Sequence, residues 1–398
     1  MVSRVSEKVQ ALYDKYPYPP REPCEALDPY VDYVRSFSRV RPGLRPTFLD
    51  AGCGTGSVVL GAALFQKHWA VYGCDFNEKS LQILNRDVEE LGLTNVTTRQ
   101  VDLLSLPDDF GPAEGFDVIF CTGVIHHTPD PLQVLKSLAN RLAPQGVLRL
   151  MVYSAKGRAD LYRFARAIQQ VEAWQGAPLE ARVEAARTLM TEMQSRGAIE
   201  GFVPPSLRGP FEGSHLVDSS EFADRYLHPH DSPYTLDLLR KHIEKAGLTF
   251  FRWFEDRSWD LDELLPSTSQ RGDFPEEEWE RYQIVEELFD RDQYDLYLVG
   301  PEFQPNNAPF TYDTRLRINP QVHLTETIFR GYPKSHQARL LFYPEEDLTL
   351  PQAKILKALS SRTASLGKLL DEWAEERSED WLRAVLYLLH RDYLYRVS

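Results

Sequence analysis

The sequence predicts a doubly wound α/β sheet that is interrupted by a helical insertion and followed by a winged-helix-like accessory unit. Three observations lead to this prediction. Short β-branched runs alternate with helical patterns from residue 46, two helical segments break this alternation after residue 154, and three short helical patterns lie near the C-terminus. Alternating strands and helices imply parallel strands that are joined by right-handed crossovers.

The first part of the sheet is predicted from apolar runs that are rich in β-branched and aromatic residues, which favour strands. Stretches with apolar residues at helical spacing lie between these runs. The predicted strands are 47–51, 70–75, 96–101, 116–121 and 147–153, and the predicted helices are 58–66, 79–91 and 131–141. This order of elements gives five parallel strands.

The alternation stops at residues 155–233, which we interpret as an insertion. Apolar residues recur at helical spacing around 161–171 and 179–193, and residues 197–233 are rich in Gly and Pro and are predicted to be irregular. The sheet then resumes: Thr235 is placed to cap a helix that ends at 246. Two further strands are expected at 248–255 and 294–301, with an acidic helix at 276–289 between them.

Residues 303–398 have a different pattern. Helices are predicted at 350–359, 365–373 and 379–390, followed by a strand at 393–397, an order that fits a winged-helix-like module. The numbers of basic and acidic residues in this unit are nearly equal, so it is poorly suited to bind DNA. Partner binding or regulation suits the unit better than DNA binding does, and a plain packing domain is the default interpretation.

Composition excludes several classes of protein. The 398 residues carry 45 Lys and Arg against 59 Asp and Glu, a net charge of −14, which argues against a nucleic-acid partner. Four cysteines without a CxxC pair argue against a disulfide scaffold or a zinc finger. The N-terminus lacks an apolar signal region and no apolar run reaches the ~18 residues of a membrane span. We therefore expect a cytoplasmic protein.

The strongest motif is a glycine turn at residues 48–56, FLDAGCGTG, where the first strand leads into the first helix. Glycines allow a tight turn and the close approach of a ligand to the backbone. A dinucleotide fingerprint would require Gly or Ala at position 57, which is Ser57, and no phosphate-binding Gly-Lys-Ser/Thr follows. A diphosphate ligand is therefore not indicated.

Acidic residues end the next two strands, Asp75 the second and Asp102 the third. The fourth strand leads into a segment with two histidines, FDVIFCTGVIHHTPDP at 116–131. Open α/β sheets bind ligands at the carboxyl ends of their strands, where a carboxylate accepts hydrogen bonds from ribose hydroxyls. The four segments therefore predict one binding site for a nucleoside-containing ligand.

These four motifs, in this order and spacing, resemble the class I S-adenosylmethionine-dependent methyltransferases, whose fold is a Rossmann-like sheet. The resemblance covers residues 45–154 closely and the sheet to residue 302 loosely. It implies S-adenosyl-L-methionine as the cofactor. The residues that it places around the cofactor are Asp50, Gly52, Cys53, Gly54, Asp75, Phe76, Asp102, Leu103, Cys121, Thr122 and Gly123.

Members of this family often close the site with an aromatic N-terminal segment, and the run YDKYPYPP at 13–20 is similar to one. The resulting divisions are a lid segment at 1–30, a cofactor-binding core at 31–154, the insertion at 155–233, the rest of the core at 234–302 and the accessory domain at 303–398. The residues predicted on the lid and substrate side are Tyr13, Tyr16, Tyr18, Tyr153, Asp218, His228, His230 and Tyr234.

His126 and His127 are candidates for a catalytic base or positioning group, and shaping the turn before Pro131 is the alternative role. A metal site that combines one of them with His228 and His230 lacks a third ligand at a recognisable spacing, so no metal is predicted. The expected function is methyl transfer to an N or O nucleophile of a protein or peptide. The alternatives are methylation of a small molecule and a non-catalytic cofactor-binding module.

The large insertion and the winged-helix-like tail are, as a layout, more weakly similar to bacterial protein-lysine methyltransferases. This second resemblance is the reason for placing a protein or peptide acceptor first. GVIHHTPDP at 123–131 is at least as typical of small-molecule methyltransferases. The shape of the acceptor pocket would distinguish the two, because a peptide needs an open groove and a metabolite fits a sealed cavity.

Overall fold

A computed structural model describes most of the chain. The described residues are 4–19, 31–38, 44–171, 174, 176–195, 218–269, 272–289, 291–306, 309–319, 322–329, 332–340 and 346–397. The chain divides into two units. The first comprises Met1–Leu27 and Arg45–Glu302, and the second comprises Asp28–Leu44 and Phe303–Ser398.

The first unit is built on a seven-stranded sheet with the order β3-β2-β1-β4-β5-β7-β6. Strands β1 to β5 pair in parallel, and β7 runs antiparallel to both of its neighbours. The strands are β1 Thr47–Ala51, β2 Ala70–Asp75, β3 Val96–Gln100, β4 Phe116–Thr122, β5 Leu142–Tyr153, β6 Thr249–Trp253 and β7 Gln293–Val299. The strand order reverses between β1 and β4, which opens a crevice at their carboxyl ends.

Helices pack against this sheet and cover its central strands, so that almost every side chain of β1 and β4 is buried. Helix α4 begins where Asn77 accepts a hydrogen bond from the Ser80 amide, and α5 begins in the same way at Asp130. The helices around the sheet are α1 Arg4–Lys15, α3 Ser57–Phe65, α4 Glu78–Glu90, α5 Pro131–Ala139 and α9 Leu236–Lys245. Short helices α10 Leu261–Leu264 and α11 Pro266–Ser269 precede α12 Glu278–Leu288.

The insertion contains three helices in its described part, α6 Ala159–Gln169, α7 Leu179–Ser195 and α8 Ser219–Leu227. They share a small apolar core, to which α1 contributes Leu12. The prediction of irregular structure throughout residues 197–233 was wrong over α8. Asp218 caps this helix by accepting hydrogen bonds from the amides of Ser220 and Glu221.

The second unit contains helix α2 Val31–Arg35 and two three-stranded sheets. One sheet has the order β11-β10-β9, and the other has the order β12-β8-β13. Its strands are β8 Arg315–Ile318, β9 Val322–Phe329, β10 Tyr332–Leu340, β11 Glu346–Asp347, β12 Ala364–Ser365 and β13 Leu394–Arg396, and its later helices are α13 Leu350–Leu359, α14 Leu366–Trp373 and α15 Glu379–His390. The β9–β10 hairpin was not predicted, and the winged-helix-like assignment stays a prediction.

The α/β prediction is confirmed: the sheet has a parallel five-stranded part and resumes with β6 and β7 after the insertion. The largest difference at an element end is in β5, which begins at Leu142 rather than at residue 147. Within the described ranges, no helix combines the length and the apolar character that a membrane span requires.

Candidate active site

A cavity of about 590 Å³, which we call the main cavity, opens at the carboxyl ends of β1, β2 and β4. The glycine turn, α1 and residues 18–19 all contribute to its wall. The carboxylate-bearing side chains on its wall are Asp50, Asp75, Asp102 and Asp224. The residues described around the cavity include no Lys or Arg, so its wall carries an excess of negative charge.

The glycine turn adopts backbone conformations that side chains rarely tolerate. Gly52 and Gly54 have φ values of 82° and 51°, and a Cβ atom on Gly52 would lie 2.5 Å from a methyl group of Val124. The Gly54 amide donates a hydrogen bond of 2.9 Å to the Asp75 carboxylate. The turn therefore brings the Gly54 backbone and the Asp75 carboxylate together at the cavity wall. Only glycine readily adopts the backbone conformation that this contact requires.

Asp75 ends β2 and is held by the backbone. One carboxylate oxygen accepts from the Gly54 amide and the other from the Asn77 amide, at 2.9 and 2.8 Å. Burial raises the pKa of Asp75, and these amide hydrogen bonds oppose that rise. The Phe76 backbone also acts on this carboxylate, and of its four acceptor sites at least one remains for a hydroxyl beside the cavity.

Asp50 lies in β1 at the base of the main cavity. Burial and the nearby charge of Asp75 raise its pKa to about 7, and the charge of Arg149 opposes the rise. No hydrogen-bond donor from the described part of the chain contacts the Asp50 carboxylate. The buried acid is therefore placed to favour a cationic ligand.

The far wall of the cavity is formed by the segment after β3. Asp102 accepts a hydrogen bond of 3.0 Å from the Leu104 amide and caps a short 3-10 helix, Leu103–Ser105. Asp102, Leu103 and Phe76 line the main cavity together with Thr122 and Gly123. All the residues that the sequence assigned to the cofactor thus reach the cavity except Cys121, which is fully buried within β4 among apolar side chains.

The opposite end of the cavity brings together residues that are distant in sequence. The Tyr13 hydroxyl donates a hydrogen bond of 2.8 Å to Asp224 Oδ1, so that α1 meets α8. Tyr18, His127 and Tyr153 line the cavity as well. Burial raises the pKa of Tyr153 to about 12, so that its hydroxyl stays protonated at neutral pH.

Of the two adjacent histidines, His127 lines the main cavity and His126 does not. His127 Nδ1 donates to the His230 carbonyl at 3.1 Å, because a carbonyl oxygen only accepts. Its Nε2 therefore keeps a lone pair, and burial lowers its pKa so that the ring is neutral. His126 is fully buried against Tyr153, and neither ring nitrogen has a partner within the described structure.

Several residues that were predicted on the substrate side lie elsewhere. Tyr16 packs against the apolar core of the insertion, Asp218 caps α8, and Tyr234 is buried in the sheet core, where its hydroxyl lies 3.0 Å from His242 Nδ1. His228 and His230 line a second cavity of about 610 Å³ beside α6. These positions follow from helix capping and core packing, which the loop interpretation of this region did not anticipate.

Sequence reasoning missed Asp224, which among the described residues of the insertion is the acid that reaches the cavity. A signal for its helix was present: Asp218 is a typical N-cap, and Phe222, Ala223, Tyr226 and Leu227 repeat at helical spacing. Burial raises the pKa of Asp224 to about 6, and the hydrogen bond from Tyr13 opposes that rise. Nothing in the local sequence indicates that its side chain faces Tyr13.

Comparisons with known proteins agree with this geometry. Residues 45–193 match a family model described as a methyltransferase domain. Over 304 residues the chain is 29% identical to the uncharacterized protein syc1184_c of Synechococcus sp., an alignment that covers 72% of this chain and 70% of that protein.

A ubiquinone biosynthesis O-methyltransferase of Actinobacillus pleuropneumoniae is 34% identical over 134 residues, or 32% of this chain. The chain spans only about half of that relative, 53% of its length. Among solved structures, PKMT2 from Rickettsia typhi, also solved in complex with AdoHcy, is similar in fold at a TM-score of 0.68 and 16% identity. That similarity covers 96% of this chain and 77% of PKMT2.

Proposed function

Because this chain carries a class I S-adenosylmethionine-dependent methyltransferase domain, we propose that it methylates an N or O nucleophile of a protein or peptide. The observation that carries this proposal is the main cavity, in which the glycine turn and three strand-end acids face Tyr13, His127 and Asp224. One end of the cavity suits the cofactor and the other end suits a nucleophile.

The residues at the first end fit S-adenosylmethionine in charge and in hydrogen bonding. The cofactor carries a sulfonium, an ammonium, a carboxylate and two ribose hydroxyls, so its net charge is positive. The wall supplies carboxylates without a compensating Lys or Arg from the described residues. Asp75 would accept the ribose hydroxyls, Asp102 would lie at the adenine edge, and Gly52 to Gly54 would border the methionine part. The buried Asp50 would balance positive charge there.

When bound, S-adenosylmethionine supplies a methyl group on a positively charged sulfur. The protein then has to orient the nucleophile, exclude water and accept a proton. His127 Nε2 is the available proton acceptor, because its ring is neutral and Nδ1 is engaged with the His230 carbonyl. Tyr13, Tyr18 and Tyr153 enclose the site from the lid and β5.

The size of the main cavity limits the acceptor group. Pockets of about 300–1,000 Å³ enclose one drug-sized ligand, and the cofactor is itself of that size. A cavity of about 590 Å³ is therefore of the size expected for the cofactor with a small acceptor group, such as one inserted side chain.

The charge of the wall favours nitrogen over oxygen in that side chain. Asp224 and the His127 lone pair both accept hydrogen bonds, and the described wall offers no cation that would bind a carboxylate or phosphate. An amine satisfies both acceptors and carries the complementary charge. We therefore place an amine nitrogen first among the nucleophiles.

A second candidate function is methylation of a small molecule. The 34% identity with a ubiquinone biosynthesis O-methyltransferase supports it, although the matched segment is a third of this chain. An experiment distinguishes the two acceptor classes.

The test incubates the full chain with methyl-labelled S-adenosylmethionine and a cell extract that has been separated into macromolecules and small molecules. Label in acid-precipitable, protease-sensitive material is expected. Label in the small-molecule fraction alone would replace this proposal with the second candidate. Cofactor binding without S-adenosylhomocysteine release in any fraction would favour a non-catalytic module. The Asp75→Ala variant serves as the control, because it removes the proposed ribose contact.

A further inference from the structure

Three side chains form a hydrogen-bonded row that leads from His228, in the wall of the second cavity, to Tyr13 and Asp224 in the wall of the main cavity. His228 Nε2 lies 3.4 Å from the Tyr13 hydroxyl oxygen, and that hydroxyl lies 2.8 Å from Asp224 Oδ1. Tyr13 belongs to α1, whereas Asp224 and His228 belong to α8 and its C-terminal end. The row thus joins two segments that are more than 200 residues apart in sequence.

The hydrogen bonds of His228 fix the direction of this row. The His230 amide donates to His228 Nδ1 at 3.2 Å, so Nδ1 carries a lone pair. Burial lowers the pKa of His228, and the neutral ring therefore carries its proton on Nε2. That Nε2–H points to the Tyr13 oxygen, and the Tyr13 hydroxyl in turn donates to Asp224.

The same tautomer argues against a metal at this place. One ligand atom each from His127, Asp224 and His228 lie within 4.8 Å of one another, a spacing that a metal ion would fit. A metal requires a lone pair on the ligating nitrogen. His228 has none to offer, because Nδ1 accepts an amide and Nε2 carries the proton. The row is better explained as a chain of donors that ends on a carboxylate.

We propose that Tyr13 is a positioning residue that, on docking of α1, holds Asp224 ionised and turned toward the acceptor nucleophile. This inference rests on the proposed methyl transfer. Asp224 Oδ1 is occupied by Tyr13, and no donor from the described residues reaches Oδ2, which is left for an N–H or O–H of the acceptor. Without the donated hydrogen bond, the partly buried acid would hold its own proton more tightly.

Contacts on both sides hold α1 in the position that this row requires. The Asn77 amide group donates to Asp14 at 2.8 Å at the start of α4, and Lys15 forms an ion pair with Glu180 on α7. The acceptor site is therefore complete only with α1 in place. The other titratable or charged groups that act on or lie close to Asp224 are Tyr18, His127, Tyr153, Arg158, Arg225, His228 and Asp231.

The test compares Tyr13→Phe with Tyr16→Phe in the full chain with bound S-adenosylhomocysteine. Tyr16 belongs to the same N-terminal segment but packs against the apolar core of the insertion, outside the main cavity, so it is a matched control. Carbon-13 NMR of labelled aspartate follows the titration of Asp224, which is assigned from an Asp224→Asn spectrum. We expect Tyr13→Phe to raise the Asp224 midpoint by about one to two pH units, the size of a charge-assisted hydrogen bond. Tyr16→Phe should leave it unchanged.

Nitrogen-15 spectra of labelled histidine give a second, independent readout. A His228 ring that is protonated on Nε2 is expected, and protonation on Nδ1 would overturn the direction of the row. An Asp224 midpoint that is equal in the Tyr13→Phe variant and the unaltered chain would overturn the proposal. Calorimetry with S-adenosylhomocysteine separates the proposed methyl transfer from the positioning role of Tyr13. If the unaltered chain does not bind S-adenosylhomocysteine, the proposed function is contradicted, whereas the NMR outcomes test only the row.

Discussion

The carbonyl oxygen of Tyr18 occupies the space that a side chain on Gly54 would need. Only glycine at this position therefore allows the backbone of the N-terminal segment to lie against the glycine turn. The next residue strengthens this contact, because the Thr55 amide donates to the Tyr18 carbonyl at 3.2 Å and the Thr55 hydroxyl donates to the Pro19 carbonyl at 2.9 Å. The glycine turn therefore lines the main cavity and also contacts residues 18–19 of the N-terminal segment.

Replacing Gly54 by Ala is expected to displace residues 18–19 and weaken S-adenosylhomocysteine binding by roughly tenfold or more, about 1.4 kcal/mol. Gly92→Ala is the matched control, because Gly92 also has a positive φ, 62°, but a Cβ there meets no atom within 4 Å. The control should lose about 1 kcal/mol of stability with unchanged affinity. Calorimetry and thermal unfolding check both variants, and equal affinities would contradict the role of the Tyr18 contact.

Asp75→Ala is expected to weaken cofactor binding by at least about tenfold, since it removes a buried carboxylate that receives two amides and is placed for a ribose. Asp117→Ala controls for lost backbone contacts: Asp117 accepts from the Thr47 amide at 2.8 Å and lies outside the main cavity. That variant should lower the unfolding temperature but keep the affinity for S-adenosylhomocysteine. Unchanged affinity in Asp75→Ala would remove Asp75 from the site.

Binding of S-adenosylmethionine at pH 6 is expected to release a proton from Asp50. Its pKa of about 7 in the free protein leaves the acid mostly protonated at that pH, and a bound cation favours the carboxylate. The release should vanish at pH 8, where Asp50 is already ionised, and in Asp50→Asn. Calorimetry in two buffers of different ionisation enthalpy measures the proton, and a binding enthalpy at pH 6 that does not depend on the buffer contradicts the prediction.

His127 and His126 are expected to respond differently to substitution. His127→Gln removes the Nε2 lone pair from the cavity and should lower kcat by about 100-fold, the smaller end of general-base effects. His126→Phe keeps a ring against Tyr153 and removes two nitrogens that lack partners in the described structure, so kcat should change little. The rate of S-adenosylhomocysteine release with the labelled acceptor fraction measures both, and similar losses would show that His127 has no special role.

The pH dependence of stability offers a further test of His126. Burial lowers its pKa in the folded state, so the unfolded chain binds more protons near pH 6. This histidine therefore favours unfolding progressively as the pH falls below about 6.5, its unfolded value. His126→Phe should flatten the loss of unfolding free energy between about pH 6.5 and 5 in chemical denaturation. A slope identical to that of the unaltered chain would mean that His126 is not buried as described.

The part of the main cavity that we propose for the cofactor was predictable because its lining residues follow from local chemistry. Gly52, Gly54 and Asp75 lie at strand ends in consecutive β-α units, and the topology of a parallel sheet brings such ends to one edge. The exception, Cys121, shows the limit of this reasoning. It is one residue from the cavity-lining Thr122, but alternation along β4 turns its side chain into the core.

The sequence by itself determined the class of fold, the expected cofactor and most of the cavity-lining residues that we propose for it, since a motif of adjacent residues encodes each of these. Only the tertiary structure decided which residues meet at the proposed acceptor end. Asp224 meets Tyr13 across 211 positions, and His127 rather than His126 reaches the cavity. Such pairings depend on how helices of the N-terminal segment and the insertion pack against each other. The periodicity and spacing of residues within either segment do not indicate that packing.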